Sequence, residues 1–376
     1  MKETYTYKYT LSEKELAALR SRRAAARERR ERERRRRILL WTLALLAAAV
    51  LLIAAAVWLL VRGGGANEPV PIPPAGEIED LTEPAEPPDG PDTPASAPAA
   101  VPAVSPPHEA VRSPDTVRLT SEVNSQYAVL IDLETGEILA QKKPGALVSP
   151  ASMTKILTIL TAAEHIGGLN GTYVITQEMV DYCRNNGCST AGFLPGEEVS
   201  LTDLFYGTIL PSGADAALAL ACYVAGSQEA FVELMNQKAR DLGLSSSARF
   251  ANCIGLYDPD NVCTVYDMAM ILWAAMENDI CRTFLTERNR VLPANEVREA
   301  ELDLSNWFIR RIEDHMPEGL AVLGAKTGYV SMAGSCAASF AQSRDGREYI
   351  CVTAKASGGW QCIFDQAAIY AAWAGK

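Results

Sequence analysis

Three short motifs of this 376-residue chain contain residue types that could carry out nucleophilic chemistry. They are Ser152-Met-Thr-Lys155, Pro211-Ser212-Gly213 and Lys326-Thr327-Gly328. Residues three apart on a helix share a face, so the Ser152 hydroxyl and the Lys155 amine are expected to lie together. A lysine accepts a proton only if its pKa falls, and burial in an apolar helix lowers it. The first motif therefore predicts a serine nucleophile with a lysine base.

The other motifs add groups that a peptide substrate requires. A serine at the first turn of a helix lies among unpaired backbone amides, which can stabilise an oxyanion. Lys326 and Thr327 follow a strand-like run and precede Gly328, so they offer a cation, a hydroxyl and room for a substrate backbone to approach. This combination suits a peptide that ends in a carboxylate.

Simpler and competing interpretations exist for the same residues. A serine that caps a helix, followed by a surface lysine, would produce the first motif by chance. A Ser-His-Asp triad would have to use His165 or His315, and neither lies in a recognisable motif. No CxxC pair or HxxxH spacing occurs, so no metal site and no cofactor is predicted.

Hydrophobic patterns predict the elements that position these motifs. The stretch 127–142 has two short apolar runs around Thr135-Gly136, which is typical of a β-hairpin, and a helix follows from Ser152. Helical patterns dominate the middle, strand patterns return from 320 to 356, and a final helix closes the chain. The sequence predicts an α+β fold, in which an antiparallel sheet built from both ends of the domain is flanked by helices, with a mainly helical subdomain.

Composition divides the chain into four predicted segments. They are a basic cytoplasmic tail (1–37), a transmembrane helix (38–61), a disordered linker rich in Pro, Ala and acidic residues (62–116) and an extracytoplasmic catalytic domain (117–376). The second segment has 24 residues without a charge, and a helix of this length can cross a bilayer. Fourteen of the 21 prolines lie in the third segment, which cannot bury enough apolar surface to fold.

The charge distribution predicts the topology of this membrane protein. The tail holds 14 Lys or Arg and 6 Asp or Glu, whereas the whole chain has a net charge of −11. A basic flank stays on the cytoplasmic side, so the expected location is the cell membrane, with a single span and the catalytic domain outside. One alternative is a cleaved signal peptide, which the length of the apolar run disfavours. The other is a nucleic-acid-binding tail, which is disfavoured because the basic block directly abuts the membrane span.

All nine cysteines fall in the predicted outer domain. An exported domain permits disulfides, and either Cys183 with Cys188 or Cys253 with Cys263 would close a small loop. The odd count and the apolar surroundings of Cys222 and Cys351 are equally consistent with buried free thiols.

Four stretches resemble, in order and spacing, the low-molecular-mass penicillin-binding proteins, which are serine-type D-alanyl-D-alanine carboxypeptidases. They are 127–158, 201–221, 251–271 and 324–340. The triplet of motifs is also the one shared by penicillin-binding proteins and class A β-lactamases. The resemblance covers roughly 127–373 and implies the fold of that superfamily, action on peptidoglycan stem peptides ending in D-Ala-D-Ala, and covalent inhibition by β-lactams.

The resemblance also implies a role for each motif. Ser152 would be the acylated nucleophile, Lys155 its general base, and Ser212 a proton relay to the leaving group. The predicted substrate-binding residues are Lys326, Thr327, Gly328 and Tyr329, of which the lysine and threonine would hold the terminal carboxylate. Backbone amides of Ser152 and Tyr329 would form the oxyanion hole.

Departures from the family pattern leave two alternatives open. The second motif is usually Ser-x-Asn, and here its third position is Ala214, so a muropeptide- or β-lactam-binding protein without turnover is one alternative. A class A-like β-lactamase is the other, although no ExxLN loop lies between Ser212 and Lys326. The carboxy-terminal β-rich domain and anchor helix common in the family are not expected, so the span at 38–61 would provide the tether.

Overall fold

Strands from both ends of the folded domain meet in one six-stranded sheet. The computed structural model describes residues 108–375. In chain order the strands are β1 (Val111–Arg118), β2 (Tyr127–Asp132), β3 (Glu137–Lys142), β4 (Leu147–Val148), β5 (Thr172–Val174), β6 (Glu198–Ser200), β7 (Cys263–Thr264), β8 (Asn289–Leu292), β9 (Leu302–Ser305), β10 (Leu320–Val330), β11 (Gly334–Ser343) and β12 (Glu348–Ala356). The large sheet has the order β1-β3-β2-β12-β11-β10, and the other strands form three two-stranded ribbons.

Helices cover both faces of this sheet. They are α1 (Thr154–His165), α2 (Gln177–Asn185), α3 (Leu201–Ile209), α4 (Ala214–Ala225), α5 (Gln228–Asp241), α6 (Val265–Glu277), α7 (Asp279–Leu285), α8 (Trp307–Ile312) and α9 (Gly359–Trp373), with 3₁₀ turns at Ala151–Met153 and Glu313–His315. Helices α8 and α9 pack on one face, and α6 packs on the other together with the helices of the middle of the chain. The mixed α+β fold predicted from the sequence is confirmed.

Strand β12 shows why the sheet needs cover on both sides. Ile350 and Val352 point into the larger apolar core, whereas Tyr349 and Cys351 point into the smaller core under α9. Successive side chains of a strand point to opposite faces, so the apolar run 349–352 must be buried on both faces of the sheet. Strand β10 lies at the edge of the sheet, so one side of its backbone pairs with no neighbouring strand. This open edge lies next to the Ala151–Met153 turn.

Strand β1 corrects one predicted boundary. The linker was expected to extend to Thr116, but Val111–Arg118 forms a strand that pairs in parallel with β3. His108, also expected in the linker, stacks on Trp273 with ring centroids 4.5 Å apart. This edge strand is mostly exposed, so its sequence lacks the apolar run that marks the inner strands of the sheet. The folded domain therefore includes about nine residues that were assigned to the linker.

The predicted tail (1–37), the predicted transmembrane helix (38–61) and linker residues 62–107 lie outside the described residues. Between residues 108 and 375, no helix is both long enough and apolar enough to cross a bilayer.

The nine cysteines are free thiols, so neither predicted pairing is formed. Cys253 is buried, and its thiol lies 3.8 Å from the carbonyl oxygen of Ala217 on α4. Cys183 is buried at the end of α2, and the backbone N–H of Cys188 donates to its carbonyl at 2.9 Å.

Candidate active site

Ser152 lies in the 3₁₀ turn that leads directly into α1. The turn is entered through Ala151, whose φ of 49° is in the left-handed region that residues with a side chain rarely adopt. The sequence predicted Ser152 at the first turn of an α-helix, and the structure places it one turn earlier. The serine is therefore presented on a tight, strained turn.

Lys155 follows on α1 and points back at this serine. Its Nζ lies 3.1 Å from Ser152 Oγ and 2.6 Å from the carbonyl oxygen of Ile254. The side chain is only 2% exposed, and burial lowers the pKa of Lys155 from 10.5 to about 8. The cost of burying an ammonium thus gives a base that is partly neutral close to physiological pH.

The loop after Phe250 braces the serine turn from behind. Asn252 Oδ1 accepts hydrogen bonds from the backbone N–H groups of Gly255 and Leu256, at 2.7 and 3.0 Å. Gly255 has a φ of +78°, and a Cβ built on it would lie 2.1 Å from the carbonyl oxygen of Ala151. The loop can approach the Ser152 turn this closely because that position is a glycine. Sequence analysis gave this loop no role in the site.

Ser212 is the second serine of the site and also has a left-handed backbone, with a φ of 64°. Its Oγ accepts a hydrogen bond of 2.8 Å from Lys326 Nζ. The next residue, Gly213, is held closely, because a Cβ there would lie 2.6 Å from the carbonyl oxygen of Gly207. The tight loop that follows α3 therefore fixes the direction of the Ser212 hydroxyl.

Ala214 and Asp215 begin α4 and secure this loop. Ala214 is 1% exposed, and its N–H donates to the Ser189 carbonyl at 2.8 Å. Asp215 accepts from the backbone N–H groups of Ala191, at 2.7 Å, and of Gly192, at 3.0 Å. The position that carries Asn in related motifs is thus packed in the core, and the acceptor contacted by Lys155 is a backbone carbonyl instead.

Strand β10 supplies the third motif along the open edge of the sheet. Lys326 is 2% exposed, and its Nζ donates to Ser212 Oγ and to the Thr327 carbonyl, each at 2.8 Å. Burial, together with the positive charge of Lys155, lowers the pKa of Lys326 well below 10.5. A Cβ at Gly328 would lie 3.0 Å from the backbone nitrogen of Ser152, so this glycine lets the strand approach the serine amide.

A cleft of about 420 Å³ connects the three motifs. Five of the predicted site residues line it, namely Ser152, Ser212, Thr327, Gly328 and Tyr329. The two buried lysines lie behind the serines, joined to them by the hydrogen bonds given above. Among the described residues of this lining there is no acidic side chain, and neither His165 nor His315 takes part.

This arrangement can perform acyl transfer. It holds a hydroxyl nucleophile against a desolvated amine, a second hydroxyl beside a second amine, and an open strand edge on which an extended peptide can pair. Sequence reasoning found the side chains but missed two contributors, the Ile254 carbonyl and the Arg311 guanidinium in the cleft wall. A backbone carbonyl has no residue-type pattern, and Arg311 belongs to a six-residue helix without clear periodicity.

Comparison with known proteins finds relatives of this chain. Residues 111–358 match the model of peptidase family S11, described as D-alanyl-D-alanine carboxypeptidase. The chain is 31% identical over 221 residues to the D-alanyl-D-alanine carboxypeptidase DacF of Bacillus subtilis, which covers 58% of this chain and 54% of the relative. The chain spans about half the length of the curated relatives it matches.

Solved structures of two relatives share the fold. The crystal structure of the D-alanyl-D-alanine carboxypeptidase of Mycobacterium tuberculosis H37Rv is 26% identical, with a TM-score of 0.59 over 69% of this chain and 94% of that one. The Streptomyces K15 DD-transpeptidase is 24% identical, with a TM-score of 0.61 over 68% of this chain and 98% of that one.

Proposed function

This chain belongs to the D-alanyl-D-alanine carboxypeptidase family, peptidase family S11, and we propose that it removes the terminal D-alanine from peptidoglycan stem peptides ending in D-Ala-D-Ala. The observation that carries the proposal is the 3.1 Å contact between Lys155 Nζ and Ser152 Oγ. A buried lysine with a pKa of about 8, placed against a serine on a strained turn, is an activated nucleophile.

The acylation step uses the groups in the cleft. Neutral Lys155 takes the Ser152 proton as Oγ bonds to the carbonyl carbon of the penultimate D-alanine. The developing oxyanion is stabilised by the backbone amides of Ser152 and Tyr329, because fixed dipoles in a desolvated site need no reorganisation. The extended peptide pairs with the free edge of β10, next to Thr327.

Departure of D-alanine requires a proton on its nitrogen. The Ser212 hydroxyl donates that proton as the C–N bond breaks, and the proton that Lys155 removed from Ser152 replaces it. Lys155 is therefore neutral again when the acyl-enzyme has formed, Ser212 has its hydroxyl proton back, and the net effect is transfer of the Ser152 proton to the departing D-alanine. A water then attacks the ester, Lys155 accepts the water's proton, and Ser152 Oγ is reprotonated as the shortened peptide leaves. A β-lactam would acylate Ser152 by the same first step.

We also propose that the span at 38–61 anchors the protein in the cell membrane, with residues 1–37 in the cytoplasm and the catalytic domain outside. The basic composition of the tail and the uncharged run after it support this topology. Protease added to intact cells should then digest the catalytic domain and leave an epitope in the tail intact. Protection of the catalytic domain would contradict the proposal.

The activity is tested with the purified full-length chain in detergent. It is incubated with an acylated tripeptide ending in D-Ala-D-Ala, and free D-alanine is measured. We expect release by the wild type and by Ser246→Ala, which changes an exposed serine, and none by Ser152→Ala. If the wild type releases no D-alanine but penicillin still labels it in a Ser152-dependent way, the protein binds its ligand without turnover.

A further inference from the structure

Helix α2 ends in a turn that brings two cysteines together. Gly187 has a φ of 61°, and its N–H donates to the carbonyl of Arg184 at 3.2 Å. The N–H of Cys188 donates to the carbonyl of Cys183 at 2.9 Å. A left-handed glycine with these two backbone hydrogen bonds defines a Schellman motif. In this motif the side chains at the two ends of the longer-range bond commonly touch, and here both are cysteines.

The two thiols differ in their surroundings. The Cys183 thiol is fully buried, and its pKa is raised by the hydrogen bond that it donates to the Cys188 sulfur and by burial. Cys188 is only half-buried, and the same hydrogen bond lowers its pKa from 9.0 to about 7. The charge of Lys155 lowers the pKa of Cys188 further, whereas burial and Asp215 oppose the shift. An accessible low-pKa thiol beside a second thiol is typical of a reactive dithiol.

The turn that carries these thiols belongs to the wall of the cleft. Gly187 and Ser189, which precede and follow Cys188, both line the cleft. The carbonyl of Ser189 also accepts the N–H of Ala214 at 2.8 Å, so the turn is attached to the loop of the second motif. The acyl-transfer steps use neither thiol, although both lie next to the catalytic groups.

We propose that Cys183 and Cys188 are a reversible redox pair, which a low-molecular-mass disulfide converts into an intramolecular disulfide. The Cys188 thiolate attacks one sulfur of the oxidant, whose S–S bond breaks, and the first thiol leaves with a proton from solvent. Cys183 then releases its proton and attacks the Cys188 sulfur, which expels the second thiol. The two cysteines thus lose two electrons, and the oxidant gains them as two thiols. An excess of thiol reverses the exchange.

The charge of the Cys188 thiolate couples this pair to the catalytic base. Burial lowers the pKa of Lys155, and four nearby acidic groups act against that shift, namely Cys253, Cys188, Asp215 and Cys183. The positive charge of Lys326 instead repels that of Lys155. A thiolate with an ammonium holds as many protons as a thiol with an amine, but only the second state leaves Lys155 neutral.

Oxidation removes the thiolate from this competition. More of Lys155 is then neutral between the pKa of Cys188, about 7, and its own, about 8. The disulfide should therefore speed acylation of Ser152 in this pH range. This consequence rests on the proposed function, whereas formation of the disulfide does not.

Peptide mapping tests formation of the disulfide. The full-length chain in detergent is equilibrated with several ratios of reduced to oxidised glutathione, its remaining thiols are alkylated, and it is digested with trypsin. Trypsin cleaves after Arg184, inside the loop, so a disulfide keeps peptides 156–184 and 185–238 joined until it is reduced. The second peptide also contains Cys222, which is half-buried on α4, so Cys222→Ser is the matched control.

We expect wild type and Cys222→Ser to give joined peptides at oxidising ratios and separate peptides at reducing ratios. Cys188→Ser should give separate peptides at every ratio, and Cys183→Ser should retain glutathione on Cys188 because the second thiol is missing. Wild type whose accessible thiols are alkylated first should behave as Cys188→Ser does, which keeps the test valid if a variant fails to fold. Joined peptides in Cys188→Ser, or separate peptides in the wild type at every ratio, would overturn the proposal.

Acylation of Ser152 by a fluorescent penicillin tests the link to Lys155. At about pH 7.5 the oxidised wild type should acylate roughly two- to tenfold faster than the reduced form, and the two rates should converge above about pH 9. Cys188→Ser should match the oxidised wild type at either glutathione ratio. Identical pH profiles of the oxidised and reduced forms would overturn the link. Absence of acylation in every form would contradict the proposed function, and the peptide map would still decide the redox pair.

Discussion

Lys155 Nζ lies 3.1 Å from Ser152 Oγ and donates its other hydrogen bond, of 2.6 Å, to the carbonyl of Ile254. The lysine thus has a neutral acceptor and no carboxylate in contact among the described residues. A carboxylate would hold the proton on the amine and raise its pKa, whereas a neutral carbonyl orients the amine with a smaller rise in its pKa. The pair therefore combines fixed geometry with a pKa of about 8.

This lowered pKa predicts how acylation depends on pH. Only neutral Lys155 can accept the serine proton, so the rate of Ser152 acylation should rise about tenfold per pH unit below the pKa. It should level off above pH 8, since the pKa of Lys155 is about 8. Stopped-flow acylation by a fluorescent penicillin between pH 5.5 and 9.5 measures the profile. A rate independent of pH over this range would contradict the role of Lys155.

Lys155→Arg is the control for that profile. Arginine keeps the positive charge but does not release its proton, so acylation should fall roughly 100-fold or more and lose its pH dependence. A variant that retained half of the wild-type rate would show that another group is the base.

The left-handed backbone of Ser212 predicts a difference between two substitutions. Ser212→Ala and Ser212→Gly both remove the hydroxyl that contacts Lys326 Nζ, so each should lower kcat by about 100-fold. Glycine adopts a φ of 64° without strain and alanine does not. The free energy of unfolding of Ser212→Gly should therefore be about 1 kcal/mol higher than that of Ser212→Ala. Urea denaturation measures the difference, and equal stability of the two variants would contradict it.

Local patterns predicted most of the fold because they depend on neighbouring residues. Two short apolar runs around Thr135-Gly136 gave β2 and β3, and a three-residue spacing gave the contact of Ser152 with Lys155. The elements that were missed are short or polar. β1 is an exposed edge strand, and α2 contains Cys183, for which the sequence offered only a disulfide with Cys188 that would close a small loop.

Contacts between distant segments were not predictable from the same patterns. Arg311 meets Trp360 across 48 intervening residues, and the Ile254 carbonyl meets Lys155 across 98. The first contact requires that α8 and α9 pack on one face of the sheet. The second depends on a backbone atom, so no choice of side chain reveals it.

The close approach of Gly255 to the serine turn predicts that the loop behind this turn positions Ser152. In Gly255→Ala the new Cβ would lie 2.1 Å from the carbonyl of Ala151, so the Ser152 turn must move. Acylation should fall by about 100-fold, because misplacement of a nucleophile by about 1 Å has that effect. The free energy of unfolding should fall by about 2 kcal/mol or more.

Gly346→Ala is the control for Gly255→Ala, because it introduces backbone strain without a contact to the serine turn. Gly346 has a φ of +93°, and a Cβ there would meet no atom within 4 Å. The substitution should cost about 1 kcal/mol of stability and leave acylation unchanged. If both variants acylate at the wild-type rate, the loop at 252–256 has no part in positioning Ser152.

Ala214 occupies the position at which related motifs carry asparagine. Its burial predicts the effect of the substitution Ala214→Asn. At Ala214 the new amide would enter the core, where it must find partners, and the Ile254 carbonyl is already engaged by Lys155. We expect Ala214→Asn to lower the free energy of unfolding by about 1–3 kcal/mol and to leave kcat/KM within about twofold of the wild type.

Ala219→Asn provides the matched comparison for this last variant. Ala219 is buried on the same helix, α4, and does not line the cleft. An amide without partners should destabilise the two positions equally. A smaller loss at 214, together with a tenfold gain in kcat/KM, would mean that the amide reaches the catalytic groups and that its absence limits the natural enzyme. Equal losses without a gain would show that the Ile254 carbonyl has taken over the acceptor role.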